Sequence, residues 1–402
     1  MMFWMHWIVL LLAATGNCGF WLYCFNRANS TGLPRRATKR IEKVIVILCF
    51  AIPLAIVWLE WPDLRAWLAS ESLLPTSSML RLWIAGSLLA LALLGPFWIE
   101  SRRWLIPPAN LVRLESTEHD VARELDRQHP PAVATGTKLT DFLDALPAND
   151  ITKLSVSRKT LRLDRSVPGA TGLTIGHISD LHFTGQFTLD FYRYVLGRFQ
   201  ELSPDLIAVT GDIIDYPKCL TWIAELLSPL KAPLGCYFVL GNHDRRLPDV
   251  DEVSRLLCKV GFTDLGQADA HIEANGRRVA LTGNELPWLR RRALDSAAGA
   301  GPDRDWPIDN PEVLRLGLSH APDQLPWAQA ANIDLMLAGH THGGQARIPM
   351  VGPIVAPSRY GSRFASGVFL RPPVLMHVSR GVAGTHPLRF RCTPEVSLLT
   401  IE

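Results

Sequence analysis

Apolar residues are arranged in two different ways along this chain, and the change falls near residue 100. Before it, the apolar positions form long unbroken runs. Phe3 to Phe25 carries no formal charge, Val44 to Leu59 contains Pro53, and Leu82 to Trp98 is mostly Leu, Ala and Ile with small residues at Gly86 and Gly95. A hydrocarbon core of about 30 Å is crossed by some 20 such residues, and a helix inside it tolerates Pro and packs through Gly. Trp4, Trp7, Trp21, Trp58, Trp61, Trp83, Trp98 and Trp104 gather at the segment ends, where an interfacial aromatic belt places them. The pattern predicts an all-α membrane anchor of about three transmembrane helices over residues 1–100. A cleaved signal peptide fits less well, because the opening MMFWMHW has neither Lys nor Arg.

Residues 101–150 break this pattern. They are polar, with Pro107, Pro108, Pro130 and Pro131, and Glu115 to Gln128 suits a short charged helix. The expectation is a partly helical linker without chemistry of its own. From Ile151 short apolar runs begin. Leu154, Val156, Leu161 and Leu163 suggest an edge strand or hairpin. LTIGHISDLH, PDLIAVTGD and GCYFVLGNHD then read as strands, separated by helical stretches near Leu189–Leu202 and Leu220–Leu230. A further helix is expected near Asp249–Val260. HIEANGRRVALTG reads as a hairpin with a tight turn at Asn275-Gly276. Residues 286–311 look like an exposed insertion, and LRLGLSH, IDLMLAGHTH, VLMHVSRG and EVSLLTI supply late strands. Early strands alternate with helices while late strands follow one another. That order predicts an α/β domain over 151–402, two mixed β-sheets packed face to face with flanking helices.

Composition changes this picture little. At 402 residues the chain is longer than one ordinary domain, and the excess in its 48% hydrophobic content is not spread evenly, nine of the 13 Trp lying before residue 105. A net charge of +3, without a basic stripe interleaved with aromatics, gives no argument for nucleic acid as a partner. The 7 Cys form no CxxC pair and read as free thiols of a reducing compartment. Loop charges give an orientation. Arg27, Arg35, Arg36, Lys39, Arg40 and Lys43 separate the first two apolar segments, and Arg102 and Arg103 follow the third. The positive-inside rule then places everything after Trp98 in the cytoplasm, on a multi-pass protein of the cell (inner) membrane.

The chemistry lies where the strand-like runs end. Asp180 and His182 close the first, Asp212 and Asp215 the next, then Asn242 and His243, then His320, then His340 and His342. Open α/β sheets place their chemistry at the C-terminal ends of strands. Mixed nitrogen and oxygen donors without thiolate suit Mn, Fe or Zn, with Mn placed first, and a set drawn from several loops suits a pair of divalent ions.

The order D-x-H, G-D-x-x-D, G-N-H-D, H, G-H-T-H closely resembles the calcineurin-like metallophosphoesterase superfamily over about Leu173 to Glu402. The tail GHTHGGQ…PSRYG…SRG…RCTPE resembles its membrane-associated or cell-envelope branch, of the UDP-2,3-diacylglucosamine hydrolase and envelope phosphodiesterase types. The resemblance implies the family's αββα sandwich. It also implies Asp180, His182, Asp212 and His342 as ligands of one metal, with Asp212 (bridging), Asn242, His320 and His340 holding the other. It makes His243 the general acid at the leaving-group oxygen and Asp215 the carboxylate that orients it. The expected function is a membrane-anchored, dinuclear-metal hydrolase of a phosphodiester or pyrophosphate, lipid-linked at the cytoplasmic leaflet. An envelope or wall-polymer phosphodiesterase is the alternative, and a membrane-bound sensory module with a silent metal site is a third reading. His177 and His377 are expected in the core, His6, His119, His129, His271 and His386 at surfaces or interfaces. Asp244 is either a support of the site or a cap on the next helix. Arg359, Arg363 and Arg380 could meet phosphate but more simply form a solvated or salt-bridged face.

Overall fold

The computed structural model describes residues 2–100, 107–128, 130, 133–274, 276–290, 310–349 and 351–402. The expected insertion lies outside the described residues from 291 to 309, as do Arg102, Arg103, Trp104, His129 and the turn residue Asn275. Two compact units divide the chain: Met1–Arg103 with Pro357–Arg363, and Trp104–Ala356 with Phe364–Glu402.

The first unit is helical: α1 (Met2–Asn29), α2 (Arg35–Leu59), α3 (Trp61–Leu68) and α4 (Ser78–Glu100). By length and composition α1, α2 and α4 can cross a membrane. Pro53 and Pro96 sit inside α2 and α4 without ending them. Leu11, Phe50, Leu54, Trp58, Leu82 and Leu93 face outward. Such a surface is costly in water and natural against lipid. A small interior joins Ala13, Ile56, Leu64, Trp67, Leu80 and Ile84. His6, expected at a surface or interface, is instead buried, with Nε2 2.8 Å from the Ser72 carbonyl.

The second unit runs β1 (Leu111–Asp120), α5 (Val121–Gln128), α6 (Lys138–Asp144), β2 (Lys153–Leu161), β3 (Thr174–Ile178), α7 (Leu189–Gln200), β4 (Leu206–Thr210), α8 (Leu220–Leu227) and β5 (Cys236–Val239). It continues through α9 (Val250–Lys259), β6 (Phe262–Asp264), β7 (Ala270–Ala274), β8 (Arg277–Asn284), β9 (Val313–Ser319), α10 (Leu325–Ala330) and β10 (Leu335–Ala338). The last strands are β11 (Arg347–Ile348), β12 (Gly352–Pro353), β13 (Gly367–Arg371), β14 (Val374–Val378) and β15 (Glu395–Ile401). One sheet has the order β1-β2-β15-β3-β4-β5-β6 and the other β13-β14-β10-β9-β8-β7. Ile175, Ala208 and Val239 of the first sheet meet Leu281, Leu316 and Leu337 of the second in one core. On its other face Ile207, Val209 and Phe238 pack under Phe191, Val195, Ile223 and Leu257 of α7, α8 and α9. Strands buried on both faces have no polar side to show, which is why they read as continuous apolar runs.

The segment expected as a linker contributes to this sheet. Residues 111–120 form β1, antiparallel to β2, so the edge strand is β1 and β2 lies inside. Most of β1 is exposed, and LVRLESTEHD carries too many charges to stand out as a strand. Its pairing with a distant strand decides the conformation over local preference. Among the described residues there, helix is confined to Val121–Gln128 and Lys138–Asp144.

Candidate metal centre

Every residue singled out for chemistry follows the C-terminal end of a strand. Asp180 and His182 lie beyond β3, Asp212 and Asp215 beyond β4, Asn242 and His243 beyond β5, His320 beyond β9, and His340 and His342 beyond β10. β3, β4 and β5 are mutually parallel, as are β9 and β10, so these ends face one side of the sandwich. Among the described residues ten non-glycine positions have positive φ, and five of them are Asp180, His182, Asp212, His340 and His342. Side chains beyond Gly rarely tolerate this region, and it gathers at functional sites because the surrounding fold must hold it. Two glycines let the loops close in. A Cβ on Gly241 would stand 2.2 Å from Asp212 Oδ1, and one on Gly339 1.8 Å from Ser179 Oγ.

The loops bring the donors together. Asp180, His182, Asp212 and His342 offer ligand atoms within 4.8 Å of one another, and so do Asp212, His320 and His340. Asn242 Oδ1 lies 3.2 Å from His320 Nε2, and His340 Nδ1 lies 3.1 Å from that same nitrogen. His182 Nε2 and His342 Nε2 are 3.3 Å apart. Asp212 belongs to both groups. Its Oδ1 accepts the His243 backbone N–H at 2.7 Å, while buried Oδ2 makes no hydrogen bond. Around Oδ2 stand His320 Nε2 at 3.1 Å, His182 Nε2 at 3.6 Å and His243 Nε2 at 3.9 Å. A buried carboxylate oxygen without a hydrogen bond is expensive. The imidazole nitrogens that crowd it, drawn from three separate loops, complete a donor set that fits cations.

Electrostatics agree with this reading. Burial alone would lower the basicity of His320, but Asp212 beside it, with help from Asp180, lifts the imidazole to about 9. Charge that draws a proton so strongly also draws a metal ion, which displaces it. His342 is held well below the ordinary range by burial and then by Arg389. Burial also pushes His243 down to about 4, against the attraction of Asp212.

Asp215 does more than the sequence reading assigned it. Its carboxylate accepts from His243 Nδ1 and also lies 2.7 Å from His182 Nδ1. Burial opposes its charge, yet His182 and His243 hold it far below the usual carboxylate range. Asp244 supports the loops and does not cap α9, whose first turn is capped by Asp249. Asp244 Oδ1 accepts from the backbone of Ile213 and Ile214 at 2.9 and 3.0 Å, and Oδ2 from Gly241 at 2.8 Å. Two arginines went unnoticed. Arg389 is buried and donates to the His342 carbonyl at 3.1 Å, and Arg246 Nη1 lies 2.6 Å from His243 Nδ1. Trp288 was also missed; its ring lies 4.7 Å from that of His340. Of the arginines considered earlier, Arg380 pairs with Glu395 at 3.2 Å and Arg363 pairs with Glu100. His177 and His377 lie apart from the site, buried and 2.8 Å from each other.

Comparison with known proteins agrees with the geometry. Residues 173–344 match the description Calcineurin-like phosphoesterase. The chain is 30% identical over 228 residues to Phosphodiesterase YaeI of Escherichia coli (strain K12), covering 56% of this chain and 80% of that protein. It is 29% identical over 256 residues to the metallophosphoesterase YkuE of Bacillus subtilis (strain 168), covering 62% and 86%. It is 27% identical over 291 residues to the UDP-2,3-diacylglucosamine pyrophosphatase LpxG of Chlamydia trachomatis, covering 61% and 88%. The chain belongs to the calcineurin-like metallophosphoesterase family. It is a metal-dependent phosphohydrolase, with a dimetal site and apolar helices of membrane-spanning length.

Proposed function

We propose that this protein hydrolyses a pyrophosphate or phosphodiester bond of a lipid-linked substrate, with its catalytic unit on the cytoplasmic side of the inner membrane. The observation that carries the hydrolytic reading is the convergence of donors on Asp212, whose Oδ2 has three imidazoles around it and no hydrogen bond. The lipid-linked reading is supported by the apolar helices, by the six basic residues at the end of α1 and the start of α2, and by the similarity to a UDP-2,3-diacylglucosamine pyrophosphatase.

Asp180, His182, Asp212 and His342 would hold one ion, and Asp212, Asn242, His320 and His340 the other. Manganese suits this nitrogen–oxygen set without thiolate, ahead of iron or zinc. Such a pair supplies an activated water and screens the charge of a phosphoryl group. The chain's own residues do the rest. Asp215 accepts from His243 Nδ1–H, which fixes the ring and favours its doubly protonated form against burial, and in that form Nε2–H is the edge that would hand a proton to the leaving-group oxygen. By holding His182 through the same carboxylate, Asp215 keeps acid and ligand in register. Arg389 fixes the His342 loop from behind.

The test is turnover by the detergent-solubilised protein with Mn²⁺ against a panel of lipid-linked pyrophosphates, lipid phosphodiesters, nucleotides and a soluble aryl phosphodiester. Hydrolysis of the aryl diester without any lipid-linked substrate would sink the substrate reading and keep the hydrolase. A second reading, an envelope phosphodiesterase, is favoured by the similarity to a phosphodiesterase. Reporter fusions at the C-terminus separate the two, since active alkaline phosphatase with a dark fluorescent fusion would put the catalytic unit outside.

A further inference from the structure

The catalytic unit carries an exposed apolar surface that neither its core nor its chemistry uses. Helix α6 buries Thr140 and packs Leu143 against the core, yet turns Leu139 and Phe142 outward at 62% and 64% exposure. Val133 before it and Leu146 after it are exposed as well. Asn149 Nδ2 donates to the carbonyls of Leu143 and Pro387, and the Arg391 N–H bonds the Ala148 carbonyl. Segment 387–391, with exposed Leu388, therefore lies along α6. The Arg347 N–H bonds the Phe390 carbonyl and brings in β11 with exposed Ile348. Six apolar side chains thus stand on neighbouring segments of one face.

The same face borders the accessible edge of the metal centre. His342 and His243 keep 15% and 10% of their side chains open, whereas His182 and His320 are fully closed. Gln186 Nε2 donates to the Thr385 carbonyl, and a Cβ on Gly384 would stand 3.6 Å from His342 Cε1. Residues 384–388 therefore run from the open histidine to the apolar side chains.

We propose that this surface, centred on Leu139 and Phe142, seats in a lipid bilayer and holds the open edge of the metal centre at headgroup level. Three observations favour lipid over a protein partner. Lys138 and Arg391 stand exposed among the apolar residues, as anionic headgroups require. Of the two carboxylates of α6, Asp141 accepts from the Thr135 hydroxyl and Asp144 from the Thr152 hydroxyl. Six apolar side chains also fall short of the roughly 20–30 residues a side that a stable protein interface uses. A tethered domain needs far less, because its own spanning helices keep the bilayer at high local concentration. The proposal rests on the bilayer reading of α1, α2 and α4 and is independent of the substrate's identity.

The full-length protein, reconstituted in vesicles of phosphatidylethanolamine and phosphatidylglycerol, provides the test. A small fluorescent non-natural residue is placed at position 142, or as reference at exposed position 252 on α9, and headgroup-level doxyl lipid is added as quencher. Emission at 142 should be quenched at least about threefold more than at 252, the depth difference of an inserted side chain. Equal quenching would overturn the proposal. So would emission at 142 that is already blue-shifted in detergent and immune to the quencher, which marks a protein-docking face. As a second arm, Leu139→Glu with Phe142→Glu should lower turnover of a vesicle-embedded phosphoester about tenfold while leaving a soluble aryl diester in detergent untouched. Unchanged turnover of the embedded ester would count against the surface. If the unaltered protein hydrolyses no embedded ester, the substrate reading fails, and the quenching comparison still decides this one.

Discussion

His177 and His377 inside the sandwich, and His320 and His340 at the strand ends, are all buried, yet the protein uses their nitrogens in opposite ways. In the inner group every nitrogen has a partner from the chain. Lys159 Nζ donates to Glu395 Oε1 at 2.6 Å and to His377 Nε2 at 2.8 Å. His377 therefore carries its proton on Nδ1 and gives it to His177 Nδ1 at 2.8 Å, and His177 Nε2–H meets Thr210 Oγ1 at 2.9 Å. That order follows from one fact, that an ammonium can only donate. At the strand ends the acceptors face one another, and Asp212 Oδ2 takes no hydrogen bond. Burial and a weakened histidine occur in both places, His177 being pushed down to about 3 and His243 beside the strand-end pair to about 4, in each case first by burial, while against burial Asp212 lifts His320 to about 9. Perturbed histidines alone therefore do not locate a metal centre. Acceptor capacity left over after the chain has satisfied itself does.

The comparison breaks most sharply at Asp212. Asp212→Asn removes the charge shared by both proposed ligand groups, and two cations would then be poorly screened from each other. It should release at least one ion by elemental analysis. Turnover should fall beyond the roughly 10²- to 10⁴-fold that loss of an acid costs. Retention of both ions with near-normal turnover would show that Asp212 does not bridge. His243→Ala comes next. It should keep the metals and lose about 10²- to 10⁴-fold with poor leaving groups, and much less with an acidic aryl leaving group. An equal loss on both would reassign His243 to holding the phosphate. Because Asp215 touches His182 as well as His243, Asp215→Asn should weaken metal affinity in addition to the acid step.

How far these groups can be read from the sequence follows from the same contrast. The strand-end residues were legible because they close apolar runs, three of them directly after a Gly: Gly211 before Asp212, Gly241 before Asn242, Gly339 before His340. Those glycines also signalled the close approach that the structure shows at Gly241 and Gly339. The two-sheet alternation was legible because strands buried on both faces are apolar throughout. The inner cluster was not, since Lys159 and Glu395 lie 236 residues apart in the chain and sit in strands where a charge reads as solvent-facing. Strand β1 escaped for the same reason, its partner being a distant strand and its own face polar. Asp244 was ambiguous because a carboxylate after a strand suits a helix cap and a loop brace equally well.

Disrupting the inner cluster should affect stability and spare the metals. Lys159→Met leaves the Glu395 carboxylate buried with only Arg380 and hydroxyl partners, and removing one member of a buried pair costs about 3–5 kcal/mol. The urea midpoint of the catalytic unit should fall while bound metal and turnover at low temperature stay unchanged. A loss of metal would join the two histidine groups into one functional system. The folded protein holds His177 neutral at about 3, below the ordinary 6.5 of the unfolded chain, and holds Glu395 charged well below its ordinary 4.5. Both depressed values mean that the stability is fully present near neutrality. It should decline as pH falls from about 6.5 toward 3, first through His177 and then through Glu395. A flat urea midpoint between pH 7 and pH 4 would show that the cluster does not set the acid limb.

The smallest expected effect falls between the two groups, at Asp244. Its two oxygens are spent on three backbone N–H groups of the Asp212 and Asn242 loops, so it resembles the inner cluster in satisfaction and the outer one in location. Asp244→Asn keeps one oxygen for Ile213 and Ile214, but its amide nitrogen then faces the Gly241 N–H, donor against donor. The two loops must part there by a fraction of an ångström, and Asp212 and Asn242 move with them. Supports of this kind are worth about 10- to 100-fold in metal affinity. The Mn²⁺ concentration for half-maximal turnover should rise by that factor, while the rate at saturating Mn²⁺ recovers. A lower rate with unchanged Mn²⁺ dependence would mean that Asp244 acts on the reaction itself. No change in either would leave the spacing of the loops to Gly241 and the left-handed backbone of Asp212 alone.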